Sequence, residues 1–145
     1  MEITKVLNEI KLKEGAEFGK SLSDKQIEEL EIKLEVKLVD TFKFFLKNCG
    51  FISSGGFTVF GVSEEPYNDI IRRNKMAREE ELPADFAALP DDAYIIAHYP
   101  GGGYYVQYAK GTPREGQIGL ILDETFYEEE GDWPDLESFL KCYFL

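Results

Sequence analysis

Apolar residues recur at helical spacing in several stretches of the chain. Ile3, Val6, Leu7 and Ile10 stand at i, i+3, i+4 and i+7, a spacing that predicts an amphipathic helix over residues 2–12. The same kind of spacing predicts four further helices, which follow Ser23, run from Asp40 to Gly50, cover 70–80 and cover 134–144.

Polar residues and glycines mark where these helices begin and end. Ser23 and Gln26 fit a capping box, in which the serine hydroxyl accepts from the Gln26 amide and the glutamine reaches back. Asp40 is expected to cap the next helix, because its carboxylate can accept the unpaired amides of the first turn. Gly50 is expected to end that helix in a left-handed conformation. Residues 14–21 contain two glycines and are expected to form a loop.

Runs of β-branched and aromatic residues predict a sheet in the second half of the chain. Four strands are expected, at residues 57–62, 94–99, 104–108 and 117–122. The glycine-rich turn Pro100-Gly-Gly-Gly103 predicts a hairpin between the second and third of them. Helices at both ends with a meander between them predict one α+β domain over residues 1–145, with an antiparallel or mixed sheet and the N- and C-terminal helices packed against one face.

The size of the chain and its two cysteines limit the class of protein. A chain of 145 residues, 43% of them hydrophobic, suits one packed domain. No apolar run approaches the roughly 20 residues that span a bilayer, and the first residues do not resemble a secretory signal. We therefore expect a cytoplasmic protein. Cys49 and Cys142 are too few for a disulfide framework or a zinc site, and we expect both to be reduced.

The net charge of the chain is −12, from 28 acidic and 16 basic residues. This charge argues against a protein that binds nucleic acid or an anionic membrane, because phosphate contacts require Lys or Arg. It permits a basic protein partner, although many cytosolic proteins are acidic only for solubility. One dense basic cluster stands out, and we expect it to pair with nearby carboxylates. Its members are Arg72, Arg73, Lys75 and Arg78.

Candidate catalytic and metal-binding residues are few. His98 is the single histidine, whereas a catalytic triad or a histidine metal site needs several positioned partners. The turn at 100–103 lacks the lysine and the following helix of a phosphate-binding loop. The acids of residues 123–132 are too crowded for an isolated acid–base pair, and their spacing fits no calcium loop. The sequence therefore predicts no enzyme, no metal site and no cofactor.

Residues 123–132 combine acidic and aromatic residues and are predicted to form an exposed acidic loop. Rings among carboxylates can anchor a basic partner that the charge attracts. The candidate contact residues are Asp123, Glu124, Glu128, Glu129, Glu130 and Trp133. An equally weighted alternative is that Phe126, Tyr127 and Trp133 pack into the core while the acids face water. A second, weaker candidate patch consists of Glu64, Glu65, Tyr67 and Asp69.

The order of several motifs resembles the SUKH superfamily, which includes bacterial immunity proteins and yeast cell-wall-assembly regulators. Ile27-Glu-Glu-Leu-Glu31, Leu38 to Leu46 and Asn48-Cys-Gly50 precede a strand, as in the family's N-terminal signature. Ala93 to Tyr108 is similar to its strand–glycine–strand unit, and Ser138-Phe-Leu140 to its closing motif. The resemblance covers about residues 24–145. Three features depart from it: Val39 replaces the usual proline, Cys49 replaces the first glycine, and Tyr99-Pro100 precedes the glycines where a polar pair is commoner.

The resemblance implies a non-enzymatic immunity protein that binds and neutralises a cognate toxin. A nuclease toxin would need cationic groups to hold phosphates, so an acidic surface would suit it. The implied partner is thus a basic protein toxin, without direct binding to nucleic acid or membrane. One alternative is a regulatory scaffold of the cell-wall-assembly type. A second is a small-ligand-binding domain with Tyr94, His98 and Tyr104 in a cleft.

Overall fold

A computed structural model describes residues 2–63, 69–79, 91–99, 103–122 and 128–145. These ranges contain five helices and seven strands. The helices are α1 (Glu2–Lys11), α2 (Asp24–Leu34), α3 (Asp40–Cys49), α4 (Ile70–Glu79) and α5 (Leu136–Phe144). The strands are β1 (Glu17–Phe18), β2 (Ile52–Ser54), β3 (Phe57–Val59), β4 (Ala93–Tyr99), β5 (Gly103–Tyr108), β6 (Ile118–Leu122) and β7 (Glu128–Trp133).

The described strands form one sheet whose spatial order follows the chain from β1 to β7. Every neighbouring pair is antiparallel, so the predicted α+β meander is confirmed in its antiparallel form. The hairpin of β4 and β5 is also confirmed, from Ala93 opposite Tyr108 to Tyr99 opposite Gly103. The turn that joins these strands lies outside the described residues.

Two segments predicted as loops contain strands instead. β1, within residues 14–21, pairs Phe18 with Ile52 of β2, a strand that the sequence pattern did not predict. β7 occupies part of the predicted acidic loop and pairs Glu128 with Ile121 of β6. Main-chain hydrogen bonds to a formed neighbouring strand stabilise both segments, so neither needs an alternating apolar pattern of its own.

β3 is shorter than the predicted 57–62, and the segment that follows it crosses the end of α3 closely. Gly50 ends α3 as expected, and its amide donates to the Leu46 carbonyl at 3.2 Å. Its φ of 71° is positive, but its ψ of −60° differs from the left-handed conformation that was expected. A Cβ atom on Gly61 would lie 1.5 Å from the Gly50 carbonyl oxygen. The end of α3 and the segment after β3 therefore meet where only glycine fits at position 61.

The caps of two helices differ in how well the sequence predicted them. The capping box of α2 is confirmed: the Gln26 amide donates to Ser23 Oγ at 3.2 Å and the Ser23 amide to Gln26 Oε1 at 2.8 Å. The expectation that Asp40 caps α3 was wrong, because Val39 occupies the cap position and Asp40 is the first helical residue. The Asp40 carboxylate instead forms an ion pair with Lys110 Nζ at 3.1 Å.

The first helix packs on the last one. The four apolar residues that predicted α1 are all buried, and α1 contacts α5. A hydrogen bond from Lys13 Nζ to the Phe144 carbonyl joins the segment after α1 to the end of α5. The two ends of the described chain therefore share one layer.

The strand register divides β4 and β5 between two faces of the sheet. Tyr94 stands opposite Gln107, and Tyr105 lies two residues from Gln107, so these three side chains share what we call the closed face. A bulge between Ile95 and Ala97 shifts the register of β4. Beyond it, His98 stands opposite Tyr104 on the other side, which we call the α4 face.

Helices α3 and α5 cover the closed face. The Phe42 ring of α3 lies 5.5 Å from the Tyr94 ring, and the Phe139 ring of α5 lies 5.1 Å from the Tyr105 ring. Helix α4, which the expectation for the N- and C-terminal helices did not cover, contacts β4 and reaches the α4 face through Arg73.

Candidate functional site

A chain of buried hydrogen bonds runs across the closed face. The Val39 amide donates to Tyr94 Oη at 3.2 Å, and the Tyr94 hydroxyl donates to Gln107 Oε1 at 2.7 Å. Gln107 Nε2 then donates to the Gly116 carbonyl at 3.1 Å. Burial raises the pKa of the Tyr94 phenol above its ordinary value. These groups hold the start of α3 to the sheet, and Tyr94, at 0% exposure, cannot reach a ligand from solvent.

The prediction that Tyr94, His98 and Tyr104 share a ligand cleft was wrong. Tyr94 lies on the closed face, whereas His98 and Tyr104 lie opposite each other on the α4 face. The bulge in β4 moves His98 out of the alternation that starts at Tyr94. Tyr104 is three residues from Gln107, the partner of Tyr94, so it points to the other face. The rings of His98 and Tyr104 do meet, with centroids 6.0 Å apart in an edge-on arrangement.

Trp133 is half-buried within an aromatic cluster between β7 and α5. Its ring centroid lies 5.6 Å from that of Tyr105 and 5.2 Å from that of Phe139, with near-perpendicular planes. The hydroxyls of Tyr105 and Tyr143 are hydrogen-bonded to each other, and burial raises the pKa of both phenols. Of the two interpretations of the aromatic residues in this segment, the position of Trp133 favours packing into the core.

The candidate acids fall into two groups according to what the structure describes. Glu128, Glu129 and Glu130 belong to β7, the last strand in the order of the described sheet, and only their backbone is described. Glu128 stands opposite Ile121 and Glu129 opposite Leu120. The remaining acidic-loop candidates, Asp123 and Glu124, lie outside the described residues.

The second candidate patch is described at one position, Asp69, since Glu64, Glu65 and Tyr67 lie outside the described residues. Asp69 precedes α4, and its two carboxylate oxygens accept hydrogen bonds from the Ser63 amide at 3.0 Å and the Arg72 amide at 3.1 Å. The carboxylate therefore caps α4, a structural role that its polar neighbours in the sequence did not indicate.

Sequence reasoning did not identify a groove of about 420 Å³ between α2 and α3. Its lining residues are Asp24, Ile27, Glu28, Glu31, Asp40, Lys43, Phe44 and Lys47. Most of these carboxylates already have partners within the protein: Asp24 pairs with Lys47, and Asp40 with Lys110. Internal pairing lowers the capacity of this groove to attract a cation.

Glu31 is the buried acid of that groove, with 8% of its surface exposed. Its Oε2 accepts a hydrogen bond from the Leu38 amide at 2.9 Å, and its Oε1 lies 3.6 Å from Lys43 Nζ. A buried carboxylate needs such partners to offset its lost hydration. Glu31 therefore fixes the connection between α2 and α3.

Helix α4 carries the basic cluster, and one member does not behave as expected. Arg73 was expected to pair with carboxylates, but its guanidinium carbon lies 5.4 Å from the centroid of Phe60 and 5.7 Å from that of Tyr104. The side-chain amide of Asn74, the next residue, bonds to the main chain of β4 as a neighbouring strand would. It accepts from the Ile95 amide at 2.7 Å and donates to the Ile95 carbonyl at 3.0 Å.

Other site types are not found in the part of the chain that the structure describes. No group of three or more His, Cys, Asp and Glu residues in these ranges is arranged to hold a metal ion. None of the described helices is long and apolar enough to cross a membrane.

The sequence was compared with models of known protein families, and one of them matches nearly the whole chain. A sequence model described as SUKH_5, SMI1-KNR4 cell-wall, matches residues 3–145. The chain belongs to the SUKH family. Its members are generally non-catalytic immunity or regulatory proteins that act through protein partners. The match extends from α1 to the last residue, further than the sequence motifs that start at α2.

A solved structure shares the fold of this SUKH protein. The crystal structure of a protein from Pseudomonas syringae pv. tomato superposes with a TM-score of 0.73 at 14% sequence identity, covering 97% of each chain. At this identity the likeness shows the fold alone. No curated protein matches the chain.

Proposed function

We propose that this SUKH protein is an immunity protein that neutralises a basic protein toxin by binding it through the acidic segment of residues 123–132. Family membership supports a non-enzymatic role with a protein partner. The observation that carries the acidic segment is the position of β7 at the edge of the described sheet. An edge strand has main-chain groups that no further strand pairs, so it lies where a partner can approach the sheet.

Charge supports the chemistry of the partner. Six acids occupy residues 123–132, within a chain of net charge −12. They are Asp123, Glu124, Glu128, Glu129, Glu130 and Asp132. A toxin that acts on nucleic acid carries Lys and Arg for phosphate contacts, so a cluster of carboxylates can occupy the same surface. Opposite charges also accelerate encounter, which suits an inhibitor that must act before its target does.

The test is a pull-down from the native cell with the tagged full chain as bait, washed at low and at high salt. One basic partner at equal stoichiometry, released by salt, is the expected result. Salt matters because exposed ion pairs are screened over about 10 Å at 0.1 M ionic strength. Capture of an acidic partner that salt does not release would contradict the proposal.

A regulatory scaffold is the second candidate function. The observation that favours it is the description of the matching family model, which refers to the cell wall. The same pull-down separates the two candidates. Several unrelated partners, each bound below equal stoichiometry, would support the scaffold and contradict the immunity function.

A further inference from the structure

Arg73 has an unusual environment for an arginine. It is half-buried on α4, and its guanidinium lies over the faces of Phe60 and Tyr104. Among the described side chains, its Nε is the one buried polar atom without a hydrogen-bond partner. Buried polar groups are hydrogen-bonded in the great majority of cases, so this exception requires a physical explanation.

The ring contacts explain where the Arg73 guanidinium lies, but they provide no hydrogen-bond acceptor for its N–H groups. A guanidinium is planar, and stacking on an aromatic ring uses its face. Its N–H groups lie in the plane, where ring stacking does not engage them, and beyond the buried Nε the terminal Nη groups can meet a fork-shaped acceptor end-on. The chain has 28 acids, yet none of the described carboxylates forms an ion pair with Arg73.

The nearest polar groups of α4 are already engaged in the fold. The Asp69 carboxylate accepts from two main-chain amides. The Asn74 amide is bonded to Ile95 and, through Nδ2, to the Ile70 carbonyl at 2.8 Å. Neither side chain can turn to Arg73 without leaving a main-chain group unpaired. The donors of Arg73 are therefore kept from internal acceptors on their own helix.

Two further cationic residues lie on the helix that carries Arg73. Arg72 and Lys75 are exposed on the same helix, one before and two after Arg73. Met76, 37% exposed, stands at i+3 from Arg73, where helical side chains are neighbours. Arginine, tyrosine and methionine are the residue types that are enriched where protein partners bind.

We propose that Arg73, supported on Phe60 and Tyr104, is a carboxylate-binding anchor that takes an Asp or Glu side chain of a protein partner. The fork of a guanidinium matches the two oxygens of a carboxylate in a bidentate hydrogen bond. The net charge of −12 opposes a dianionic phosphate more strongly than a monoanionic carboxylate. The partner rests on the proposed function, in which this SUKH protein binds a protein, whereas affinity for a carboxylate does not.

The anchor and the acidic segment have complementary roles. In the proposed function, the acidic segment of residues 123–132 attracts the cationic surface of a partner. Arg73 adds one short-range contact in which the cation is on this protein and the carboxylate is on the partner. A basic partner without a carboxylate at that position would be disfavoured. The pair of contacts therefore fixes the orientation of the partner.

The test observes the Arg73 Nε–Hε group by NMR during titration of the full chain with acetate. The chain has four arginines, Arg72, Arg73, Arg78 and Arg114. Single substitutions of the other three by lysine identify the Arg73 resonance by elimination, so the assignment does not require an Arg73 variant that folds. Acetamide, a neutral molecule of similar shape, and sodium chloride at equal ionic strength are the controls.

We expect the Arg73 resonance to move along a saturating curve with acetate and to stay in place with acetamide. The resonance of exposed Arg72, the matched control on the same helix, should move only as it does with chloride. An Arg73 resonance that moves no more than that of Arg72 would overturn the site. A larger saturating effect of inorganic phosphate would overturn the choice of carboxylate. The experiment contains no toxin, so its failure is distinguishable from failure of the immunity function.

Discussion

On the closed face of the sheet, the buried hydroxyls of Tyr94, Tyr105 and Tyr143 all have hydrogen-bond partners inside the protein. On the α4 face, Arg73 lies over two rings with a buried Nε that has no partner. Both faces use aromatic residues, but the three hydroxyls of the first have internal partners, whereas Arg73 Nε on the second has none. A face that is complete contributes stability, whereas an incomplete one keeps donors for a ligand.

The largest expected effect that separates the two faces is on stability. Phe139 on the closed face has 0% exposure and touches the rings of Trp133 and Tyr143. Replacing it with alanine should cost about 3–5 kcal/mol in the free energy of unfolding. Ile121, opposite Tyr104 on the α4 face, is half-buried, and the Ile121→Ala variant should lose only about 1–2 kcal/mol.

Urea unfolding followed by circular dichroism measures both variants. The comparison uses midpoints at equal slope, because a changed slope would signal a change in the surface exposed on unfolding. Equal losses in the two variants would show that the two faces contribute alike to stability and would contradict this prediction.

A smaller effect should come from the hydrogen bonds of the closed face. The Tyr94→Phe variant keeps the ring but leaves the Val39 amide and Gln107 Oε1 without their partner. An unsatisfied buried group costs about 1–3 kcal/mol, and we expect a loss of that size at neutral pH. The same urea experiment measures it.

The difference between the wild type and the Tyr94→Phe variant should also depend on pH. Burial raises the pKa of Tyr94 in the folded protein, while the unfolded chain ionises near the usual value of about 10. The contribution of Tyr94 to stability is therefore complete below pH 10 and is lost as pH rises beyond it, by up to about 1.4 kcal/mol per pH unit. The gap between the two proteins should narrow above pH 10. A constant gap would mean that Tyr94 ionises equally in both states.

Much of the architecture could be predicted from local patterns. The helices follow from apolar spacing, as in α1, because burial of one stripe determines where a helix forms. The strands β4 and β5 follow from runs of β-branched and aromatic residues. β7 could not be predicted in this way, since Glu128, Glu129 and Glu130 have low strand propensity and the segment depends on pairing with β6.

The sequence predicted where the charged residues of the candidate site lie along the chain, but not which groups their side chains and neighbouring rings contact. The acidic stretch around β7 and the basic cluster of α4 are visible in the sequence. The packing of Trp133 against Phe139 and the capping role of Asp69 depend on groups distant in the chain or on local geometry. The unpaired Nε of Arg73 could not be predicted either. The acidic composition of the chain suggested many carboxylate partners for this side chain.

The proposed binding of a basic protein partner by the acids of β7 is tested most directly by a comparison of affinities. Isothermal titration with the partner recovered by pull-down would compare three proteins: the wild type, a variant with Glu128, Glu129 and Glu130 changed to lysine, and a control with Glu14, Glu28 and Glu29 changed to lysine. The control changes the net charge equally at exposed positions away from β7. We expect the β7 variant to raise Kd at least about tenfold, or about 1.4 kcal/mol, and the control to change it much less. Unchanged affinity in the β7 variant, or an equal loss in the control, would contradict the claim.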